Sequence, residues 1–356
     1  MNRGTSLFLD AVRFFAAFVV FMDHYAASRI SGGLFYQLTT FGGEAVDVFF
    51  VLSGYVIGYA TDTRERSARV YAINRAARIY SVAIPALILT FALDRIGLSL
   101  KPNLYLANPS FLSGNETEQF ASALVFIDQI WWVDTSPGTL LAYWSLGFEV
   151  WYYVIFGVAA FASGRWRVVG IAALLLLVGP KIVAMFPLWL MGLIAYRVTA
   201  RNAWPAWQSS LLFYGSLIVW VAYEIMASRI GRLDGLAADY LPRWGLIQDY
   251  FIALLFAVNL LGVSTVAPVF ARLPAWAADA IRWAAGATFS LYLLHQPLMT
   301  VIVAMLPWSV DRPATRIIVW VGTLVCVFAV AQVTERRKNA WRARITSMLP
   351  RAAYPG

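Results

Sequence analysis

The chain has 356 residues, of which 60% are hydrophobic and only 13% charged. A soluble domain carries about 25% charged and about 45–50% apolar residues, so this composition excludes an ordinary soluble enzyme, a disordered chain and a polar-capped solenoid. One cysteine excludes a disulfide framework, and two histidines argue against a multi-histidine zinc or haem site, so no metal is expected.

Crossing the hydrocarbon core takes roughly 20 apolar residues. Ten stretches qualify or come close: 6–26, 41–60, 79–97, 139–161, 168–179, 182–196, 209–227, 246–263, 284–305 and 315–333. The expected fold is an all-α polytopic membrane protein, a bundle of about ten transmembrane helices. Residues 1–333 form the membrane domain and 334–356 a basic tail. The fifth and sixth stretches meet at Gly179-Pro180-Lys181, where one long broken helix would reduce ten spans to nine. The segment 119–133 is too short to cross, and its Trp131-Trp132 pair suits a membrane interface or a re-entrant piece.

With ten alternating spans, Lys and Arg fall two to one on the side of the N-terminus, with Arg351 counted on that side and Arg243 on the other. The positive-inside rule then puts both termini in the cytoplasm. The net charge of +9 is explained by these loops. The basic residues do not line one face, so a lipid bilayer is the expected partner and nucleic acid is not. The first stretch carries Asp10, Arg13, Asp23 and His24, unlike the short uncharged core of a signal peptide, and is expected to be retained. No internal repeat is visible, which weighs against an inverted-repeat transporter.

Charges inside a bilayer cost about 2.5–3.5 kcal/mol each on insertion scales and so mark function. Arg13 and His24 are eleven residues apart, which puts them on one helix face about 16 Å apart along the axis. Asp47 sits about 9 Å into the second stretch, a depth similar to that of His24, where a carboxylate can orient an imidazole. Ser145 and Glu149 share a face at i and i+4. Glu224 and Asp249 lie near span ends and read as quiet pairs. His295 precedes Pro297, and Cys326 reads as packing. The segment 61–78 reads as a loop with five arginines. Its Arg75 and Arg78 could anchor the inner face or, spaced i and i+3, grip phosphates as forked donors.

Together these pieces resemble the acyltransferase-3 family of integral-membrane acyltransferases, which includes O-antigen and exopolysaccharide O-acetyltransferases. They are Leu9-Asp10-Ala11-Val12-Arg13 with His24, Val46-Asp47-Val48-Phe49-Phe50-Val51-Leu52-Ser53-Gly54, the Arg75/Arg78 pair, Trp144-Ser145-Leu146 with Glu149, and Ser290-Leu291-Tyr292-Leu293-Leu294-His295-Gln296-Pro297. Their order and spacing cover nearly the whole chain. Ala45 stands where the family usually has Gly, and the periplasmic domain that some relatives carry is not seen.

The resemblance implies acetyl-CoA, or another acyl-CoA, as cytoplasmic donor and a glycan or lipid-linked saccharide hydroxyl as acceptor, in a bacterial inner membrane. It implies that Arg75 and Arg78 hold the donor phosphates and Arg13 its polar groups. His24 would be catalytic, with Asp47 and Glu149 orienting it or shaping the site, and Ser145, Tyr292 and His295 would line the substrate pocket. His24 would act as general base on the acceptor or carry the acyl group itself; both routes suit an imidazole. Two other classes compete: a proton-coupled transporter of a small metabolite or lipid-linked sugar, relaying protons through His24, Asp47, Glu149 and His295, and a silent partner in glycan assembly. The arginine pair and the Arg13/His24 stripe favour the enzyme.

Overall fold

A computed structural model describes residues 1–107, 111, 115–202, 204–233 and 246–348; Arg243 and Arg351 lie outside them. Among the described residues the protein is all-helical. The long helices are α1 (Arg3–Tyr25), α2 (Gly42–Thr63), α3 (Ala68–Leu100), α4 (Trp144–Phe161), α5 (Gly164–Val178), α6 (Pro180–Arg201), α7 (Ala206–Ile230), α8 (Leu246–Leu261), α9 (Ala275–Ala285), α10 (Thr288–Met305), α11 (Pro313–Val333) and α12 (Lys338–Met348). Each of the ten apolar stretches coincides with a helix. Eight of the helices are long and apolar enough to cross a bilayer, and α8 is a shorter apolar helix. The protein is an all-α polytopic membrane protein.

One local reading, that of 61–78, is corrected, and two others gain their geometry. The fifth and sixth stretches are separate helices: Gly179 adopts φ 82°, a conformation glycine tolerates, and Pro180 starts α6. The arginine-rich segment 61–78 is largely helical. Here α2 runs to Thr63 and α3 begins at Ala68, where the Ser67 side chain caps it by accepting from Val70 N at 3.3 Å. Arg75 and Arg78 therefore sit on a regular helix of 33 residues. The stretch 119–133 is helical only through Leu124, in a helix that starts at Glu116, and Trp131 and Trp132 are exposed beyond it.

The helices group into two compact units. The first takes Met1–Ala26, Phe35–Arg64 and Leu175–Ala285; the second takes Ala27–Leu34, Glu65–Leu174 and Gly286–Gly356. In the first, α2 and α6 pack backbone to backbone through reciprocal glycines. A Cβ on Gly54 would strike the Trp189 carbonyl, and one on Gly192 would strike the Val51 carbonyl. Small residues permit this approach, which is how apolar helices gain contact where water supplies no hydrophobic drive between them. Trp189 Nε1 donates to Ser53 Oγ across the same seam at 3.1 Å. Gly192→Leu is expected to lower the thermal midpoint in detergent, because overpacking a close seam costs about 1–3 kcal/mol.

In the second unit, α10 packs against α3 and α11, and α12 against α3. Asp94, 1% exposed, accepts from Thr139 N at 2.8 Å and from Thr139 Oγ1 at 2.6 Å, which pins the segment before α4 to α3. Helix α10 runs unbroken through Pro297, and Thr300 Oγ1 donates to the Gln296 carbonyl at 2.8 Å.

Candidate functional site

In the first unit α1 begins on an Asn2 cap, whose Oδ1 accepts from Thr5 N at 2.8 Å, and continues without a break to Tyr25. Its regularity keeps Arg13 and His24 on one face. Arg13 lies 3.7 Å from the Asp10 carboxylate one turn away. His24 Nδ1 sits 3.0 Å from the Val20 carbonyl and 4.0 Å from Asp23 Oδ2. A ring nitrogen facing a carbonyl carries the proton, so in neutral His24 the basic lone pair belongs to Nε2. The imidazole is 29% exposed.

Asp47 is buried on α2, six residues into the helix. One turn before it, Glu44 is equally buried and takes three donors: Arg232 Nη1 at 2.7 Å, Trp220 Nε1 at 3.0 Å and Gln248 Nε2 at 3.2 Å. Arg232 also reaches Glu224 at 3.0 Å, which gives Glu224 the pairing role expected near a span end. Desolvation alone would lower the Arg232 pKa; hydrogen bonding and the charges of Glu44 and Glu224 outweigh it and hold the guanidinium above its ordinary value.

In the second unit Arg75 and Arg78 do not converge on one point. Arg75 Nη2 binds Glu65 Oε1 at 2.6 Å, and Asn74 Nδ2 donates to the same oxygen at 2.9 Å. The guanidinium lies 5.8 Å from the Tyr71 ring and 5.5 Å from the Tyr153 ring. The Tyr153 hydroxyl donates to Glu149, and the Tyr71 hydroxyl donates to the Tyr153 carbonyl at 3.0 Å. Arg78 instead lies 4.8 Å over the Phe289 ring, within the field of Glu335. Glu335 accepts from Phe289 N at 3.3 Å and from Ser290 N at 3.1 Å, so a carboxylate distant in sequence caps the start of α10. Arg75 is thus already paired with a carboxylate, while Arg78 faces an aromatic ring with Glu335 in its surroundings.

Ser145 and Tyr292 come together: their hydroxyls lie 2.7 Å apart in a buried contact between α4 and α10. His295 is on the same helix with no exposed surface, its Nδ1 2.9 Å from the Leu291 carbonyl. Both imidazoles therefore make the same bond to the carbonyl one turn back and differ in access. Arg75 also lines a largely apolar cavity of about 580 Å³ with Tyr71, Tyr80, Phe126 and Tyr153.

Sequence reasoning did not single out Glu65 or Glu335. Both stand beside arginines, Glu65 between Arg64 and Arg66 and Glu335 before Arg336-Arg337, and each reads there as part of a basic segment. The Ser67 cap was the available sign that helix α3 starts early enough to face Glu65.

A family model described as an acyltransferase domain matches residues 6–336. Comparison with curated proteins and with solved structures gives no match. The match takes in most of α1, all of α10 and every candidate site residue, and with it this all-helical membrane chain belongs to the acyltransferase-3 family of membrane acyltransferases.

Proposed function

We propose that the protein moves an acyl group, acetyl in the first instance, from cytoplasmic acyl-CoA to a hydroxyl of an exported glycan or its lipid-linked precursor. It would do so in the inner membrane, with both termini cytoplasmic. The observation that carries this reading is the contrast between the two imidazoles. His24 is accessible and has Nε2 as its basic atom; His295 is sealed in the core of its unit.

In the direct route, His24 Nε2 takes the proton of the acceptor hydroxyl as its oxygen attacks the thioester carbonyl, and the thiolate of CoA leaves and is protonated. In the relay route, Nε2 attacks the thioester first, CoA leaves, and the hydroxyl then attacks the acyl-imidazole. Arg13 would steady the donor's polar groups, while Asp47 and Glu149 would orient the imidazole or shape the site. Ser145, Tyr292 and His295 would line the pocket, the last as packing. Arg75 and Arg78 would bind donor phosphates, Arg75 by exchanging Glu65 for a more highly charged partner.

Membership in an acyltransferase family weighs against the transporter, as does the burial of His295, one of its relay groups, with no exposed surface. The test is mass spectrometry of surface glycans from cells with and without the gene. One acetyl fewer per repeat unit in the deletion is expected. Unchanged glycan acylation in every fraction contradicts the reading.

A further inference from the structure

The chemistry above leaves unused a cavity of the first unit that carries polar groups. It lies where α1 begins and α2, α6 and α8 end, and its volume is about 510 Å³. Three tyrosines and a tryptophan wall it, Tyr55, Tyr59, Tyr196 and Trp204, with the amides of Asn2 and Asn202 at the lining. The Tyr55 and Tyr196 rings meet edge to face at 5.6 Å, and those of Tyr59 and Tyr196 at 6.2 Å, so the wall is fixed by its own packing.

Its unused hydrogen-bonding groups are specific. Trp204 Nε1 is buried and finds no hydrogen-bond partner among the described residues. An N–H left so is costly and asks for an acceptor. Asn2 spends its oxygen on Thr5 N, which leaves its amide nitrogen to donate. Asn202 spends its nitrogen on the Val198 carbonyl, which leaves its oxygen to accept. Two donors and an acceptor among aromatic faces suit a heterocycle that carries an amino group beside ring nitrogens, with stacking supplying the affinity.

The rim is basic. The Arg64 guanidinium lies 5.9 Å from the Tyr59 ring, and the exposed Arg3, Arg197 and Arg201 neighbour lining positions in the chain. Against them stands Asp62, which engages the Tyr196 hydroxyl. Guanidinium groups at the mouth of an aromatic cup favour phosphate. An interfacial aromatic belt, by contrast, turns its polar tips toward headgroups and water; the buried Trp204 N–H does not fit that pattern.

We propose that this cavity binds a purine nucleotide, with the base among the aromatic rings and the phosphates on the arginine rim. The nucleotide end of an acyl-CoA donor, whose phosphates would then lie here and not on Arg75 and Arg78, and a free nucleotide offer the same chemistry. Only the first source rests on the donor reading proposed above.

The test is equilibrium binding of radiolabelled adenosine 3′,5′-bisphosphate to the full chain in phosphatidylcholine nanodiscs, with no acyl group present. Saturable binding is expected. It should weaken about tenfold in Tyr59→Leu, from lost stacking, and about three- to tenfold in Trp204→Phe, which keeps the ring and removes the donor. Displacement by acetyl-CoA supports the proposal with the donor as source; displacement by ATP but not by acetyl-CoA supports it with a free nucleotide as source, and would count against the donor reading alone. Absence of saturable binding overturns the proposal. So does equal displacement by pyrophosphate, or unchanged affinity in both variants.

Discussion

His24→Ala is expected to reduce acyl transfer by about 100- to 10,000-fold, the range a positioned acid–base group contributes, with membrane expression and thermal midpoint close to wild type. The imidazole makes a local bond to its own helix and is part-exposed, so its removal opens no core cavity. Chemical rescue and trapping of a covalent intermediate separate the two routes. Loss of a general base leaves the donor bound and the acceptor able to react slowly, and added imidazole should restore part of the rate. Loss of an acyl carrier removes the covalent intermediate, so protein denatured rapidly at neutral pH, where an acyl-imidazole survives, should carry labelled acyl on His24 in the wild type and none in the variant. His295→Asn should instead destabilise the fold, because His295 has no exposed surface.

The second large effect concerns the buried pair Glu65–Arg75, whose side chains are 5% and 13% exposed. Removing one member of a buried pair strands the other charge and typically costs about 3–5 kcal/mol, whereas replacing both by apolar groups of similar volume is often near neutral. Glu65→Leu and Arg75→Met are therefore each expected to lower the thermal midpoint sharply, and the double variant to recover most of the loss. Kinetics on the double variant then isolate the other duty assigned to Arg75. If it holds donor phosphate, KM for acyl-CoA should rise at least about tenfold, the worth of a charged hydrogen bond, with kcat little changed. A stable double variant with unchanged KM would leave Arg75 a structural tie only.

These two predictions also mark the limit of what the amino-acid order reveals. Helix existence was legible, since apolar runs in a bilayer protein leave few alternatives, and the break at Gly179-Pro180 carries its own punctuation. The start of α3 is hidden because Arg69, Arg75 and Arg78 resemble an inner loop, and the sequence reading does not single out Ser67 as a cap. The one-face relation of Arg13 and His24 needed only helical periodicity, and α1 is regular enough to keep it. The rest concerns tertiary pairing. Nothing local announces that Glu335 caps α10, that Ser145 meets Tyr292, or that Glu44 gathers Arg232, Trp220 and Gln248. Polar groups in a low-dielectric interior find partners wherever packing brings them, and packing is a property of the whole chain. The glycines at 54 and 192 read as small residues in sequence, and only the structure shows that each faces the other helix's backbone.

The most direct measurement is transfer of label from radiolabelled acetyl-CoA, supplied outside inverted membrane vesicles, into glycan, for wild type and His24→Ala expressed to the same level. The account predicts glycan labelling by the wild type that falls at least about 100-fold in the variant. Equal labelling by both would move the chemistry away from His24 and contradict the account.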